Sequence, residues 1–533
     1  MSNTLTVNGS RTEWETIGQL LDERARDQRD QFAMEVCGRR LTFGELVGLS
    51  DRVAANLHRL GIRKGDHVAS MLPNSLQQIL TWFGAVKIGA VWFPFNTGLV
   101  GDDLSYTMRD ASPKLFVVAS DFCDRLTTAK VEPPLLKFVV GGAAAGYQSF
   151  EALLTGDEPA PTVDIGPADP AVVVYTGGTT GLPKGVILPH FAWIAATYRY
   201  KETFDIRPTD RHYSVLSLFH NGGLQLGILG PIMCGIPTTI DAKFSLSNFW
   251  RRIRASQSTV IDMIGTIMLL LAQAPDTPDE HDNTVRVCLA PILQLPDHIP
   301  PLFAKRFGIE LINVYSLSEG GGTVIIHGQP NSAKPLSNGN GCGWADLQIV
   351  DERDMPVPPG VSGQICLRPR VPHIFMTGYL NNDRKTVESF SNLWLHTGDL
   401  GYLDEDGDLY FTGRQVHWMR RRGENVSAYE IEALVRQYPG VKDVVAVGVP
   451  SEVGEEEIKA FVIAEPGNAI HPAPLAEWCR TRIAAFKVPR FIEFVAVFPR
   501  SATKLEVERH KLKAISNERA WDSTRHDHTW RQP

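Results

Sequence analysis

The strongest signal in the sequence is the stretch Val174-Tyr175-Thr176-Gly177-Gly178-Thr179-Thr180-Gly181-Leu182-Pro183-Lys184-Gly185. An apolar run from Ala171 to Tyr175 predicts a buried strand, and it leads directly into glycines, threonines and a lysine. Glycines let backbone N–H groups turn towards an anion without a Cβ in the way. Threonine hydroxyls add donors and Lys184 adds a positive charge. The stretch therefore predicts a phosphate-binding loop.

Two other interpretations of this loop are weaker. The Walker A pattern GxxxxGK[ST] does not match the stretch, so a P-loop NTPase is excluded. A flexible surface turn is the second alternative. The position of the glycines directly after a buried strand favours the phosphate site over the turn.

The chain outward from this loop alternates between helical and strand patterns. Ile17, Leu20 and Leu21 fall at helical spacing, and Gly65 to Ala69 turns into a strand. Such alternation predicts parallel sheets covered by helices, an α/β fold. The most apolar run, Ile261 to Ala274, is too short to span a bilayer and predicts a buried helix.

The character of the chain changes after residue 341. From Gly341 to Arg414 short strands and Asp-Gly turn signals predict a small β-rich subdomain, with Asp404 to Asp408 as a hairpin turn rather than a calcium loop. Beyond it, helix and strand patterns predict a compact α/β unit, and Glu518 to Pro533 is expected to fray. We expect a large N-terminal domain over 1–415 and a small mobile C-terminal domain over 416–533.

Composition excludes several classes of protein. The formal net charge of -7 offers no general attraction for nucleic acid or anionic lipid. The seven cysteines are scattered without a CxxC pair, which argues against a disulfide framework or a zinc site. The segment Met1 to Asp30 has no apolar signal-peptide core. We expect a soluble, cytoplasmic protein with no nucleic-acid or membrane partner; the oligomeric state stays open.

The glycine-rich loop resembles the signature loop of the adenylate-forming superfamily, which contains acyl-CoA synthetases, nonribosomal-peptide adenylation domains and luciferases. Two weaker stretches in the expected order, Leu41 to Leu46 and Lys87 to Asn96, extend the resemblance over nearly the whole chain. Gly177 stands where the family usually has serine. The resemblance implies activation of a carboxylic acid by ATP with release of pyrophosphate. It also implies that the domain over 1–415 is the adenylation domain, which binds ATP and the acid.

The same resemblance implies a nucleotide site. Tyr315 would stack on adenine, Asp399 would accept hydrogen bonds from both ribose hydroxyls, and Arg414 would add a second ribose contact. Glu319, with Thr180, would hold Mg²⁺ through hard oxygen ligands. The implied ATP-binding set is Thr176, Gly177, Gly178, Thr179, Thr180, Gly181, Lys184, Tyr315, Ser318, Asp399, Arg414 and Lys504.

The acid pocket is implied by two further segments. Phe219 to Gly223 resembles the family segment beside the acid, so His220 would lie near the reacting carboxylate, although a lone histidine is more often structural. Leu289 replaces a usual glycine and would restrict the pocket. The implied pocket residues are His220, Asn221, Gly222, Leu289, Ala290 and Pro291.

The C-terminal region departs from the family pattern at two places. Val416 and His417 occupy hinge positions that usually carry charge. The expected Thr-Gly-Lys near the end reads Thr503-Lys504-Leu505, so the catalytic lysine is displaced by one residue. Lys504 is the candidate for neutralising charge between carboxylate and α-phosphate. Counting backward from Lys511-Leu512-Lys513 instead puts Glu506 in the lysine position, which is worse for catalysis, so Lys504 stays the candidate and Lys511 is a distant runner-up.

The acyl acceptor is left with several alternatives. Gly423 to Ser427 is similar to the loop that lines the thiol tunnel in acyl-CoA ligases, and the pattern looks most like the carnitine/crotonobetaine type. CoA is therefore the first choice as co-substrate, and Arg420 to Arg422 would either bind its phosphates or form a solvated basic run. An amide synthetase using an amine, a carrier-protein ligase, and a nucleotide-binding regulator without turnover are the alternatives.

Overall fold

The computed structural model describes residues 6–7, 10–176, 183–280, 282–292, 299–327, 334, 337–340, 343–414, 418–452, 454–499, 507 and 509–525. The elements before the glycine-rich loop are β1 (Thr6–Val7), β2 (Ser10–Arg11), α1 (Ile17–Asp27), β3 (Phe32–Val36), β4 (Arg39–Thr42), α2 (Phe43–Arg59), β5 (His67–Met71), α3 (Leu76–Lys87), β6 (Val91–Pro94), α4 (Gly101–Ala111), β7 (Leu115–Ala119), α5 (Cys123–Thr128), β8 (Leu136–Val140), β9 (Gln148–Ser149) and β10 (Pro170–Thr176).

The elements after the loop complete the large α/β part of the chain. They are β11 (Lys184–Pro189), α6 (His190–Phe204), β12 (His212–Ser214), a π-helix (Gly222–Leu229), α7 (Gly230–Cys234), β13 (Thr238–Ile240), α8 (Phe249–Ser256), β14 (Val260–Asp262), α9 (Gly265–Gln273), β15 (Val287–Ala290), α10 (Ile299–Phe307), β16 (Glu310–Leu317) and β17 (Gly322–His327).

The rest of the chain forms a β-rich part and a C-terminal unit. The first contains β18 (Ala345–Val350), β19 (Gly363–Pro369), β20 (Gly378–Tyr379), α11 (Asp383–Ser389), β21 (Leu395–Leu403) and β22 (Leu409–Arg414). The second contains β23 (Trp418–Arg421), β24 (Glu424–Ser427), α12 (Ala428–Val435), β25 (Val441–Pro450), β26 (Glu456–Ala464), α13 (Pro472–Arg480), β27 (Phe491–Phe494), α14 (Arg509–Lys513) and β28 (Trp521–Asp522).

Two eight-stranded sheets form the large part, in the orders β20-β11-β10-β6-β5-β7-β8-β9 and β17-β16-β15-β14-β12-β13-β3-β4. Pairing is parallel from β10 to β9 and from β16 to β3, and antiparallel only towards the edges. The glycine-rich loop follows β10 and Glu319 follows β16, so both lie beyond the carboxyl end of a parallel strand, where α/β folds bind ligands. The predicted α/β class is confirmed.

A capping box fixes the start of α2, one of the helices that cover these sheets. The Thr42 side chain accepts a hydrogen bond from the Glu45 backbone N–H at 3.2 Å, and the Glu45 carboxylate accepts one from the Thr42 N–H at 2.8 Å. This reciprocal pair satisfies two backbone donors that a helix start leaves open. The Leu41 to Leu46 stretch therefore has a local structural role.

The most apolar run departs from its prediction. Instead of one buried helix over 261–274, the structure has β14, which pairs in parallel with β12 and β15, followed by α9 from Gly265. The predicted helix is confirmed from Gly265 onward and wrong at its start, because an apolar run without alternation fits a fully buried strand as well as a buried helix. Among the described helices, none is long and apolar enough to cross a bilayer.

The β-rich part and the C-terminal unit agree with most expectations. Strands β18, β19, β21 and β22 form a four-stranded antiparallel sheet. The acidic stretch from Asp404 is the turn between β21 and β22, and Lys334 Nζ lies 2.6 Å from Asp404 and 3.3 Å from Asp408. A lysine there neutralises the cluster, which supports a turn and not a calcium site. Residues 521–522 pair with β27, so the expected fraying does not begin at Glu518.

Candidate active site

A single cavity of about 630 Å³ gathers most of the described residues that the sequence pointed to. Its walls come from the strands on either side of the glycine-rich loop, the segment after β12, the end of β16, strand β21 and the loop before β24. The predicted residues among them are Thr176, Lys184, His220, Asn221, Gly222, Leu289, Pro291, Ser318, Glu319 and Asp399. A volume of this size suits a nucleotide-sized ligand.

The flanks of the glycine-rich loop are positioned by strand pairing. Strands β10 and β11 pair antiparallel, with Thr176 opposite Lys184, so both residues stand at the mouth of the loop and line the cavity. Gly177, Gly178, Thr179, Thr180 and Gly181 lie outside the described residues, and their phosphate contacts stay predictions.

The loop and Glu319 are linked through a residue that sequence reasoning missed. The Tyr379 hydroxyl donates to Glu319 Oε1 at 2.8 Å, and Lys184 Nζ lies 3.5 Å from the same hydroxyl and 4.5 Å from the ring centroid. Burial and the neighbouring Glu319 carboxylate raise the pKa of Tyr379, so its hydroxyl stays protonated and remains a donor. A Gly-Tyr pair in a two-residue strand gives no signal that could have found it.

The residues around Glu319 fit a magnesium ion. The Glu319 carboxylate and the Ser318 hydroxyl face the cavity, and Asn221 Nδ2 donates to Ser318 Oγ at 3.0 Å. Carboxylate and hydroxyl oxygens are the hard donors that Mg²⁺ prefers beside phosphates. Thr180, the second predicted ligand, lies outside the described residues.

The predicted ribose site lies on the β-rich side of the cavity. Asp399 lines the cavity and accepts a hydrogen bond from the Tyr315 hydroxyl at 2.8 Å. Tyr315 itself is buried behind it, and its neighbours Val314 and Ser316 line the cavity instead. Arg414 pairs with Asp399 through the backbone of β22. Adenine stacking on Tyr315 stays a prediction.

The predicted acid pocket is assembled by the π-helix and β15. His220, Asn221 and Gly222 stand at the start of the π-helix, facing the cavity. Leu289 and Pro291 line the opposite wall, whereas Ala290 is fully buried in the core between them. This alternation follows from the strand, since successive side chains of β15 point to opposite faces. Ala290 is thus absent from the described lining.

The C-terminal unit contributes a side chain to the same cavity. Glu424 Oε1 lies 2.9 Å from His220 Nε2 and accepts a hydrogen bond from Asn96 Nδ2 at 3.3 Å. Burial would raise the pKa of Glu424, but His220 and Arg420 outweigh it and hold the pKa below its usual range. The ionised carboxylate therefore orients His220 at the acid end of the cavity.

The three consecutive arginines have different environments. Arg421 is buried and its guanidinium lies 2.6 Å from Glu457 Oε2, which gives it a structural role. Arg420 and Arg422 line the cavity. Arg421 therefore fits neither of the two alternatives for the run, because Arg420 and Arg421 are successive residues of β23 and point to opposite faces. Only Arg420 and Arg422 stay candidates for phosphate contacts.

Two predicted residues of the C-terminal region, the catalytic Lys504 and the hinge residue Val416, lie outside the described residues. Lys511, the runner-up, belongs to α14 of the C-terminal unit and is exposed. The roles given to these residues stay predictions.

A group of possible metal ligands lies beside the β-rich sheet. Asp354, Cys366 and His396 place ligand-type atoms within 4.8 Å of one another. His396 Nδ1 lies 2.6 Å from Gln364 Oε1, and its Nε2 lies 3.4 Å from Asp354 Oδ1. These polar contacts account for the position of the ring, and sequence spacing does not reveal the grouping.

Family models match most of the chain. The model of the AMP-binding enzyme matches residues 21–380, and the model of the AMP-binding enzyme C-terminal domain matches residues 430–504. The first match contains the glycine-rich loop, His220 and Glu319.

Similar proteins match over nearly their full length. A crotonobetaine/carnitine–CoA ligase of Salmonella paratyphi A is 30% identical over 511 residues, which cover 92% of this chain and 97% of the relative. A double mutant of o-succinylbenzoate CoA synthetase from Bacillus subtilis shares the fold with a TM-score of 0.81 at 23% identity, covering 93% and 98% of the two chains. An amide bond synthetase from Marinactinospora thermotolerans has a TM-score of 0.83 at 22% identity, covering 92% and 99%.

Proposed function

The chain belongs to the AMP-binding enzyme family, and from this premise we propose that it activates a carboxylic acid with ATP and transfers the acyl group to CoA. The products of the first step are acyl-AMP and pyrophosphate, and those of the second are an acyl-CoA thioester and AMP. The enzyme is thus an ATP-dependent acid–thiol ligase.

One observation carries the proposal. The flanks of the glycine-rich loop, Glu319 and Asp399 share one cavity with His220 and Glu424. The loop flanks, Glu319 and Asp399 suit a nucleoside triphosphate, and His220 and Glu424 suit the acid and the acyl acceptor. Their common enclosure allows two substrates to react without diffusing apart, and such positioning alone supplies a large share of catalysis.

In the proposed first step, a carboxylate oxygen of the acid attacks the α-phosphorus of ATP. A new P–O bond forms, the bond from the α-phosphorus to the bridging oxygen breaks, and pyrophosphate leaves. Lys184 stands at the mouth of the loop with Tyr379, where its ammonium would oppose the charge of the phosphate tail. Lys504 is proposed to neutralise charge at the α-phosphate.

Glu319, with Ser318 and Thr180, is proposed to hold Mg²⁺, which would supply charge neutralisation on the phosphates. The carboxylate already has its orientation fixed by the Tyr379 hydroxyl. Asp399 is proposed to bind the ribose diol and Tyr315 to support that carboxylate from behind.

In the proposed second step, the CoA sulfur attacks the acyl carbonyl carbon, and the bond to the AMP oxygen breaks. Glu424 and His220 stand together at this end of the cavity, where the pair is suited to orient the thiol and accept its proton. Arg420 and Arg422 are the basic side chains of the same wall that could meet phosphates of the acceptor. A cytoplasmic location is part of the proposal, supported by the unpatterned cysteines.

An acid panel tests the proposal. Protein, Mg²⁺ and ATP are mixed with acids of varied size and polarity, and pyrophosphate is measured. We expect release that depends on both the acid and the protein. If no acid caused pyrophosphate release, the result would contradict acid activation and favour a nucleotide-binding regulator without turnover.

A second experiment decides the acceptor. CoA, amines and amino acids are added separately to a productive acid, and the products are weighed by mass spectrometry. We expect a thioester with CoA. An amide formed in preference to the thioester would assign the enzyme to the amide synthetases, and neither product would leave a carrier protein as acceptor.

A further inference from the structure

A buried group of charges joins the two parts of the chain away from the cavity. Lys487 Nζ lies 3.0 Å from Asp103 Oδ2 and also contacts Glu430 Oε1. Asp103 belongs to α4 of the large part. Glu430 belongs to α12 of the C-terminal unit, and Lys487 lies in a short 3-10 turn of the same unit. All three side chains are 6–7% exposed.

The charges depend on one another. Burial and the like charge of Asp103 raise the pKa of Glu430, although Lys487 opposes them. Burial would lower the pKa of Lys487, but Glu430 and Asp103 outweigh it, so the ammonium stays charged. Lys487 and Glu430 form a pair within the C-terminal unit, and Asp103 is the partner supplied across the junction. Removing one partner from such a buried group is costly.

The backbone around Asp103 fits closely against the C-terminal unit. The Asp102 N–H donates to the Arg482 carbonyl at 3.1 Å, and the Ala484 N–H donates to Asp103 Oδ2 at 3.5 Å. Gly101 has φ +52°, and a Cβ there would stand 2.6 Å from the Arg482 backbone. The junction at the start of α4 is therefore specific in shape as well as in charge.

This junction is connected to the cavity through one short segment. Glu424 begins β24, which continues into α12, the helix that carries Glu430. Holding Glu430 through Lys487 and Asp103 therefore fixes the segment that places Glu424 at 2.9 Å from His220. Asp103 itself does not line the cavity.

We propose that Asp103 is a positioning residue for acyl transfer: through Lys487 and Glu430 it seats the C-terminal unit so that Glu424 reaches His220, an inference that rests on the proposed function. Of the groups proposed for acid activation, Lys184, Glu319 and the glycine-rich loop belong to the large part, whereas Lys504 belongs to the C-terminal region and lies outside the described residues. The contact of Glu424 with His220, which the junction supports, is assigned to the second step. Loss of Asp103 therefore slows the second step far more than the first.

The test compares Asp103→Asn with the wild type and with Asp102→Asn. Asparagine keeps the size of the side chain and removes its charge, and Asp102 is an exposed acid on the same helix. Acyl-AMP formation is measured in a single turnover without CoA, and transfer is measured after CoA is added. We expect Asp103→Asn to slow transfer at least about tenfold and to leave acyl-AMP formation within about twofold. Asp102→Asn should match the wild type in both steps, and Asp103→Glu should recover part of the transfer rate.

Transfer at the wild-type rate in Asp103→Asn would overturn the inference. An equal loss in both steps would also overturn it, since that result indicates general destabilisation. In either case the wild type would still make the thioester, so the proposed function would stand.

Hydrogen–deuterium exchange of the unliganded proteins tests the junction without any substrate. We expect peptides covering residues 481–488 to exchange about tenfold faster in Asp103→Asn, with the core strands of both parts unchanged. Unchanged exchange at 481–488 would overturn the inference even for a chain that activates no acid. If the wild type showed no activity but exchange at 481–488 were still faster in Asp103→Asn, the junction would be supported and only the proposed function would be contradicted.

Discussion

The Tyr379 hydroxyl connects Glu319 and Lys184, the two described residues that are proposed to serve the phosphates and their Mg²⁺. It donates to Glu319 and lies within reach of Lys184, so one neutral donor stands between a carboxylate and an ammonium. Hydrogen bonds that involve a charged group contribute more to stability than neutral ones. The geometry of Glu319 is therefore set before any ligand arrives.

Glu319→Gln removes the negative charge and retains the size of the side chain. We expect acid-dependent pyrophosphate release to fall by about 10²–10³-fold, as for loss of one preorganised electrostatic group. Glu310→Gln, at the other end of β16 and away from the described cavity lining, is the matched control and should retain activity. Equal activity of the two variants would show that Glu319 does not serve the reaction.

Tyr379→Phe removes one hydroxyl and leaves the ring over Lys184. We expect kcat/KM for ATP to fall about tenfold, because the Glu319 carboxylate loses a donor. Tyr402→Phe is the control, since that ring stacks on Tyr410 in the β-rich sheet at 5.0 Å. A wild-type kcat/KM in Tyr379→Phe would mean that Glu319 is oriented by other groups.

The sequence predicts residues that belong to motifs better than it predicts residues that orient them through tertiary contacts. Lys184, Glu319 and His220 belong to patterns whose spacing and chemistry indicate a role, and they meet in one cavity. Tyr379 lies 60 positions from Glu319 in a two-residue strand, with no pattern around it. Its contact arises from the pairing of β20 with β11, which depends on tertiary structure.

At the scale of elements, one amphipathic pattern and one short apolar run predicted their elements correctly, and a longer apolar run did so only in part. The helix expected from Ile17 begins at Ile17, and the strand expected from Ala171 lies within β10. The run from Ile261 instead divides into β14 and α9, because full burial removes the alternation that distinguishes a strand. For fully buried parallel strands, the hydrophobic pattern alone is least able to distinguish a strand from a helix.

The ion pair between Asp210 and Arg286 connects the segments that precede three neighbouring strands, β12, β14 and β15. Asp210 precedes β12 and accepts hydrogen bonds from Arg286, before β15, at 2.6 and 3.0 Å, and from Thr259, before β14, at 2.7 Å. Burial would raise the pKa of Asp210, but these donors outweigh it and hold the pKa below its usual range. The ionised form is therefore favoured by folding.

Asp210→Asn should lower the thermal unfolding midpoint by several degrees near neutral pH, because the partly buried Arg286 loses the counter-charge of the buried Asp210. A carboxylate whose pKa is lowered by folding stabilises the fold at pH values above its unfolded-state pKa of about 3.9. This stabilisation is lost as the pH falls through the lower folded-state pKa. The difference from wild type should therefore shrink below about pH 4. Asp205→Asn, at an exposed position, is the control. A pH-independent difference would contradict the electrostatic origin.

At the scale of the whole molecule, the sequence predicts a large domain over 1–415 and a small one over 416–533, and this division stays a prediction. The sequence does not predict which residues of the two regions meet. The contact of Asp103 with Lys487 joins positions 384 residues apart, and that of His220 with Glu424 joins positions 204 apart. Charges of these common types give no sign in the sequence of which partner each will meet.

The shared cavity and the order of the two steps make one chemical prediction about the entire reaction. If a carboxylate oxygen attacks the α-phosphorus and the acyl carbon–oxygen bond breaks later, that oxygen stays with AMP. Attack by the acid at any other phosphorus would leave AMP without it. The fate of a single oxygen atom therefore reports on the central claim.

The most direct measurement uses a productive acid labelled with ¹⁸O in both carboxylate oxygens, incubated with the protein, ATP and CoA. Mass spectrometry of the AMP should show one ¹⁸O atom per molecule in its phosphate. AMP or ADP formed without the label would contradict adenylation of the acid by this chain.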